Sequence, residues 1–237
     1  MSTDNSQSPI FILAAAPTSN VEISNFLSED NAYAKLLEDP PYLRYMGWNM
    51  LTLDHPKIID GQSWEVRNGD RKTIRFYRDG SLVSVVYADN SFLGWGQSDE
   101  DFSNNPKLNP LAVIEYVYEF VELYRNMLNN FVGVKQIRFD ISVKNSQIGG
   151  KSLYVVPHKL DDPFPFVHND SGALSKDFEA QVTTEMQADN KDSSKFVAFM
   201  VLAELFARFG IPSDKIPYTK VDDVNRRYID IESFPKQ

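Results

Sequence analysis

The chain has 237 residues, which suffice for one large domain or two small ones, and its 42% hydrophobic content is typical of a globular protein. The net charge of −9 argues against a large nucleic-acid-binding surface, because phosphate contacts need clustered lysine and arginine. The absence of cysteine excludes disulfides, zinc–thiolate sites, iron–sulfur clusters and cysteine nucleophiles.

The start of the chain resembles an export signal only superficially. Residues 1–8 are polar and are predicted to be disordered, and the apolar run 9–16 is typical of a buried strand. The run ends in three alanines, as a cleavage site does, but it is short and no lysine or arginine precedes it. No segment approaches the roughly 18 apolar residues of a membrane span. We therefore expect a cytoplasmic protein.

The next segments lead into the clearest pattern of the chain. A modest helix is predicted within 26–37, followed by an extended aromatic segment, 42–53. The stretch from Lys57 to Trp95 predicts an antiparallel β-meander, because apolar and polar residues alternate between turns at 68–70 and 78–81. Its four predicted strands are 58–66, 72–78, 82–87 and 91–95.

The second half predicts the helices that would cover this sheet. After a polar connection at 102–108, Asn109 and Pro110 begin the strongest helix, whose apolar residues keep helical spacing to residue 131. Strands are predicted at 136–143 and 153–156, a Pro/Phe-rich loop at 161–169, a helix at 178–186, and a final helix at 195–209 capped by Ser193 or Ser194.

These elements together predict the fold class. We expect an α+β protein in which an antiparallel β-meander sheet packs against a long central helix and a C-terminal helix. Residues 9–237 would form a single domain. The alternative is a core at 9–160 with a helical C-terminal extension at 161–237.

The sequence contains no complete copy of the common catalytic or metal-binding motifs. The segment NSQIGGKS, 145–152, ends like a phosphate-binding loop, but a strand follows it where a P-loop requires a helix, so a Gly-Gly hairpin is the preferred interpretation. The three histidines are too far apart in sequence for a helical metal pair, and no Gly-x-Ser-x-Gly nucleophile motif is present. We therefore predict no cofactor and no metal.

One metal-dependent alternative stays open. Asp140 and Lys144 lie on the same face of one predicted strand, and Glu65 could join them across a sheet. Carboxylates and a lysine at adjacent strands are the components of a metal-dependent nuclease or other hydrolase. Charged strand residues facing water are the commoner outcome.

The tryptophans and arginines of the meander form the candidate binding surface. Aromatic and arginine side chains are enriched where proteins bind partners, although core packing and a solvated polar face are the commoner roles. The candidate residues are Trp48, Trp64, Arg67, Arg71, Arg75, Tyr77, Arg78 and Trp95.

A resemblance extends over roughly residues 10–160. Pro40, Pro41 and Arg44 are followed by Gly47-Trp48, then by the sequence VRNGDRKTIRFYRDGSLVSVV, then by a long helix that leads into strand 136–143. Together these motifs resemble the region C-terminal to the Schlafen-AlbA-type DNA-binding domain of prokaryotic transcriptional regulators. In that family the DNA-binding domain would precede this region, and no such domain fits before Pro9.

The resemblance implies an accessory or sensing role and supplies no catalytic residue. The leading hypothesis is a non-enzymatic accessory, sensor or interaction domain, associated with a DNA-binding regulator, that binds a protein partner or a small ligand through the meander. The hydrolase at Glu65, Asp140 and Lys144 is the alternative. Direct nucleic-acid binding by this chain is disfavoured by its charge, and the oligomeric state is left open.

Overall fold

A computed structural model describes residues 8–21, 23, 25–28, 31–44, 47–52, 54–131, 133–156 and 177–235. The segment expected to be disordered, apart from residue 8, and the predicted loop at 161–169 lie outside these ranges. The elements, in chain order, are β1 (Ile10–Pro17), α1 (Ala32–Glu38), β2 (Lys57–Ile59), β3 (Ser63–Asn68), β4 (Lys72–Tyr77), β5 (Leu82–Tyr87), α2 (Asp99–Asn104), β6 (Lys107–Leu108), α3 (Pro110–Leu128), β7 (Gln136–Lys144), β8 (Gln147–Ile148), β9 (Lys151–Ser152), β10 (Tyr154–Val155), β11 (Phe178–Glu185), α4 (Lys191–Arg208), β12 (Thr219–Val221) and β13 (Arg227–Ile229).

Seven strands form one antiparallel sheet in the order β11-β7-β1-β5-β4-β3-β2. The predicted α+β class, with a meander sheet and two long helices, is confirmed. Strands β8 and β9 flank Gly149 and Gly150, so the Gly-Gly hairpin predicted there is also confirmed.

The central helix α3 has almost no solvent-facing side. Asn109 caps it by accepting the N–H groups of Leu111 and Ala112, and Pro110 occupies its first turn, as predicted. Seventeen of its 19 residues are buried, because α4 packs on α3 and the inner face of the sheet covers it as well. The core therefore lies on one side of the sheet.

Two predicted strands of the meander are wrong in detail. The segment 58–66 is two strands, β2 and β3, joined by a turn at Asp60 and Gly61, which both have positive φ. The segment 91–95 is not a strand, because the carbonyl of Asp89 accepts the N–H groups of Phe92 and Gly94 and its side chain accepts that of Ser91. The described part of 42–53 contains no strand either.

The predicted helix at 178–186 is also wrong. Strand β11 occupies residues 178–185 and pairs with β7, so that Ala180 and Val182 point into the core with a period of two. The final helix starts earlier than expected, at Lys191, because Asn190 caps it by accepting the N–H of Asp192. The predicted connection 102–108 holds the end of α2 and all of β6.

The described residues of the segment 42–52, which are 42–44 and 47–52 and which we call the loop, are held in place by α3. Glu119 accepts the Leu43 N–H through Oε1 at 2.6 Å and the Met50 N–H through Oε2 at 3.1 Å. From strand β4, Lys72 Nζ donates to the carbonyl of Asn49 at 2.7 Å and to that of Leu51. The loop thus obtains from side chains the hydrogen bonds that a strand or helix would have supplied.

One helical turn earlier, Glu115 holds the same loop. Its carboxylate accepts both Nε, at 2.9 Å, and Nη2 of Arg44, and it also accepts the Trp48 N–H at 3.3 Å. A Cβ atom at Gly47 would overlap this carboxylate, so glycine is required there. We call Arg44, Lys72, Glu115 and Glu119 the buried polar cluster.

Burial shifts the pKa values of this cluster. Loss of solvent raises the pKa of Glu119 well above its usual value, against the opposing effects of the two N–H groups and of Lys72. Burial also lowers the pKa of Lys72 to about 8, and the charge of Glu119 opposes this shift. The cluster is therefore sensitive both to substitution and to alkaline pH.

The variant Glu119→Gln should lower the free energy of unfolding by about 1–3 kcal/mol, the cost of a buried polar group left without its partner. A glutamine amide has only one acceptor oxygen, so the N–H of Leu43 or of Met50 would face an NH₂ group. Urea unfolding measures the loss. Glu204→Gln, an exposed change within α4, should cost little, and equal losses in both variants would contradict the role of the loop.

Because of Lys72, the free energy of unfolding should increase as the pH is raised from 7 to 9. The unfolded state retains the lysine proton up to its ordinary pKa of 10.5, whereas the folded state loses it near pH 8, so unfolding becomes less favourable as pH rises. The gain at pH 9 should be on the order of 1 kcal/mol. Urea unfolding at several pH values should give a more positive slope of stability against pH in the wild type than in Lys72→Met, because the opposing effect of the raised Glu119 pKa is present in both. Above pH 10 the buried tyrosines Tyr116 and Tyr124, whose pKa values burial raises, reverse the trend.

Candidate interaction surface

The sheet has a second face, which we call the outer face, and no described helix packs on it. Its centre is apolar and two strands wide. Strand β1 contributes Ile12 and Ala14, which lie opposite Val85 and Val83 of strand β5. These four side chains are only partly buried. A row of Ile10 and Tyr87 continues the apolar centre toward one end of the strands.

Charged residues flank this centre on the β3–β4 side. Glu65 of β3 lies opposite Arg75 of β4. Its carboxylate accepts Arg67 Nε at 2.6 Å and Arg75 Nε at 2.8 Å. Burial acts to raise the pKa of Glu65, but hydrogen bonds and charges from Arg67 and Arg75 outweigh it, so the net shift is downward. Both arginines therefore already have an anionic partner.

The β7–β11 side is polar in the same way. Asp140 accepts Arg138 Nε at 3.0 Å and Gln181 Nε2 at 2.7 Å. Lys144 Nζ lies 2.6 Å from Glu179 Oε1. A shallow cavity of about 640 Å³ extends from Asp140, Glu179 and Gln181 to Ile12 and Ala14, and Arg208 at the end of α4 also lines it. The outer face thus combines an apolar centre with two charged margins, one in which two arginines share Glu65 and one with two separate ion pairs.

The structure distributes the eight predicted surface residues over four places. Arg67, Arg75 and Tyr77 lie on the outer face. Arg71 and Arg78 are exposed in the turns at opposite ends of β4. The tryptophans lie elsewhere.

Trp64 belongs to the core and not to a recognition surface. It is 7% exposed, and its Nε1 donates to the carbonyl of Phe26 at 2.7 Å. Trp48 and Trp95 are half-buried and form an edge-to-face pair with ring centres 5.4 Å apart, beside the buried polar cluster. Trp48 Nε1 also donates to the carbonyl of Phe92, so this pair fixes the loop to its neighbour.

The three residues of the hydrolase alternative do not converge. Glu65 lies on β3, whereas Asp140 and Lys144 lie on β7, and strands β4, β5 and β1 stand between them. Four strand spacings separate the two strands by about 19 Å. Among the described residues, no group of three or more histidine, aspartate or glutamate side chains is placed to hold a metal ion.

Sequence reasoning missed the apolar centre of the outer face. The apolar run 9–16 predicts a buried strand, yet within β1 only Phe11, Leu13 and Ala15 are buried. The usable signal was that two strands, β1 and β5, carry apolar residues at both odd and even positions. Only their adjacency in the sheet turns this pattern into a surface.

A second cavity, of about 810 Å³, lies between α4 and the β12–β13 hairpin. Phe196 and Tyr228 form an edge-to-face pair in its lining, and the Arg226 guanidinium lies 4.4 Å from the centre of the Phe196 ring. Arg226 also pairs with Asp222, and Lys195 pairs with Asp192. These charges are satisfied within the chain, so the groove offers less to a ligand than its volume suggests.

Acrylamide quenching can test the separation of the tryptophans. Trp64→Phe should increase the fraction of fluorescence that acrylamide quenches, because it removes the one tryptophan that is buried. Trp95→Phe should decrease that fraction, since it removes a half-exposed ring. Equal effects of the two substitutions, in variants whose circular dichroism is native, would contradict the assignment.

Comparisons with protein-family models, curated proteins and solved structures gave no match to this chain. None of the described helices combines the length and apolar character needed to cross a membrane.

Proposed function

We propose that this chain is a non-enzymatic interaction domain that binds a protein partner through the outer face of its sheet. The observation that carries the proposal is the distribution of side chains there: apolar Ile12, Ala14, Val83 and Val85 in the centre, and ion pairs on both margins. Protein interfaces have this arrangement, with an apolar core and a polar rim.

The size of the face also supports the proposal. Strands β11 to β3 place six strands side by side, which gives a width of about 29 Å, and six residues give a height of about 20 Å. A projected area of about 600 Å² is close to the roughly 800 Å² of accessible surface that each partner contributes to a standard interface. An apolar strip that no described part of the chain covers is itself a mark of an interaction site.

The outer face is less suited to nucleic acid than its arginines suggest. Arg67, Arg75, Arg138 and Lys144 each have a carboxylate partner in the same chain. These four cations share the surface with three carboxylates, so their surplus is far smaller than the clustered positive charge that phosphate binding needs. A protein partner can use both signs of charge.

The resemblance to the region C-terminal to the Schlafen-AlbA-type domain supports an association with a DNA-binding regulator. We propose that the chain acts in the cytoplasm beside a DNA-binding regulator, as an accessory or sensor domain. The hydrolase alternative receives no support from the geometry, because Glu65 lies on a different part of the sheet from Asp140 and Lys144.

A single lysine in the apolar centre should weaken partner binding strongly. Purified chain is immobilised and exposed to an extract of the source organism, and any retained protein is identified, purified and titrated against the chain by calorimetry. Val83→Lys should weaken that affinity at least tenfold, because a charge would be buried without a partner. Val224→Lys, at a position 68% exposed in the C-terminal turn, is the matched control and should leave affinity unchanged.

Two results would count against the proposal. One is a partner whose affinity is equal for wild type, Val83→Lys and Val224→Lys, since the binding surface would then lie elsewhere. The other is binding of duplex DNA whose affinity falls steeply with salt and is insensitive to Val83→Lys, which would identify a nucleic-acid surface.

A further inference from the structure

We propose that the outer face binds a second copy of this chain, with a twofold axis running along the strands between β1 and β5. The inference rests on the proposed function and names its partner. It is carried by the strand register, which places residues of matching chemistry at equal distances on the two sides of that axis.

With a twofold axis along the strands, a residue on one side of the axis faces the residue of the other copy that lies in the same cross-strand row, at the same distance on the other side. Ile12 and Val85 are neighbours across the axis, as are Ala14 and Val83. In the dimer, Ile12 of one copy therefore faces Val85 of the other, and Ala14 faces Val83. Every apolar residue of the centre meets an apolar residue, so the strip is buried without an unmatched polar group.

Two rows of the charged margins match under the same operation, whereas in the row of Ile10 and Tyr87 the residue Lys144 would face Arg71. Asp140 is paired with Ala14 in the register, one strand beyond β1, and Arg75 is paired with Val83, one strand beyond β5. They lie in one row at equal distances from the axis, so Asp140 of one copy faces Arg75 of the other. The twofold axis makes this pair twice.

The next row repeats the match farther out. Glu179 of β11 lies opposite Ser142 of β7, and Arg67 of β3 lies opposite Thr73 of β4. Ser142 and Thr73 flank Ile12 and Val85 in that row. Glu179 of one copy therefore faces Arg67 of the other, with the hydroxyl residues Ser142 and Thr73 facing each other nearer the axis.

The dimensions of packed sheets fit these pairs. Two face-to-face sheets lie about 10 Å apart, which an aspartate opposite an arginine can bridge. Sheet twist makes aligned sheets cross at about −30°, and this displaces residues far from the axis the most. The pair Asp140–Arg75, closer to the axis than Glu179–Arg67, is therefore the sharper test.

The Asp140–Arg75 contact can be tested by reversing the charge of one residue in each of two variants. In Asp140→Arg, the new arginine would face Arg75 of the other copy, and in Arg75→Asp, the new aspartate would face Asp140. Each variant alone should be a monomer. Mixed in equal amounts they should form a heterodimer, because both contacts then join an arginine to an aspartate.

Sedimentation velocity on the full chain at about 1–100 µM measures these states, since that range covers micromolar dissociation constants. The wild type and Val224→Lys should be dimers, and Val83→Lys a monomer with native circular dichroism. Val85→Lys is the substitute if Val83→Lys does not fold. A monomeric wild type, a dimer that both lysine variants preserve, or a mixture of the two charge variants that stays monomeric would overturn the inference.

The two proposals fail in different ways. A monomeric wild type that still binds an extract protein, with affinity weakened by Val83→Lys, overturns the second copy as partner and leaves the outer face as an interface. A monomeric wild type with no partner sensitive to Val83→Lys overturns both. A dimer lost in Val83→Lys and restored by mixing the charge variants supports both.

Discussion

The fold depends on two carboxylates of a buried helix that bind backbone N–H groups of a loop. Glu115 and Glu119 stand one turn apart on α3 and between them receive the N–H groups of Leu43, Trp48 and Met50. Burying such carboxylates is costly unless their oxygens are hydrogen-bonded. Here the same bonds give an irregular loop a fixed path beside the core, so neither element would be stable in this arrangement without the other.

That constraint determines where the remaining layers can lie. The loop 42–52 and its Trp48–Trp95 pair close one part of the surface around α3, and α4 and the sheet close the rest. All described helical cover of the sheet is thus concentrated on its inner face. The outer face keeps the apolar residues of β1 and β5, which would need a second layer to be fully buried. A one-sided core and an apolar outer strip are two consequences of the same packing.

Features with local causes could be predicted from the sequence. Asn109 and Pro110 predict the start of α3, and the alternation within 72–77 predicts β4, because caps and strand periods are properties of adjacent residues. At 178–186, spacing alone could not separate a helix from a strand: Phe178, Val182 and Met186 are four apart, which suits a helix, yet Phe178 and Val182 also share one face of a strand. Pairing with β7, 35 to 49 residues earlier, decided the outcome.

The charged residues of the outer face could be predicted even less well from local sequence. Arg67, Arg71, Lys72, Arg75 and Arg78 form a basic cluster in the sequence, yet the pleat and the turns disperse them. Lys72 faces inward to the loop carbonyls, whereas Arg67 and Arg75 face outward to Glu65. Conversely, Asp140 and Arg75 lie 65 positions apart in sequence but share one row of the sheet. Strand order, which no local pattern encodes, thus distributes a basic segment over a surface on which carboxylates from distant strands lie beside its arginines.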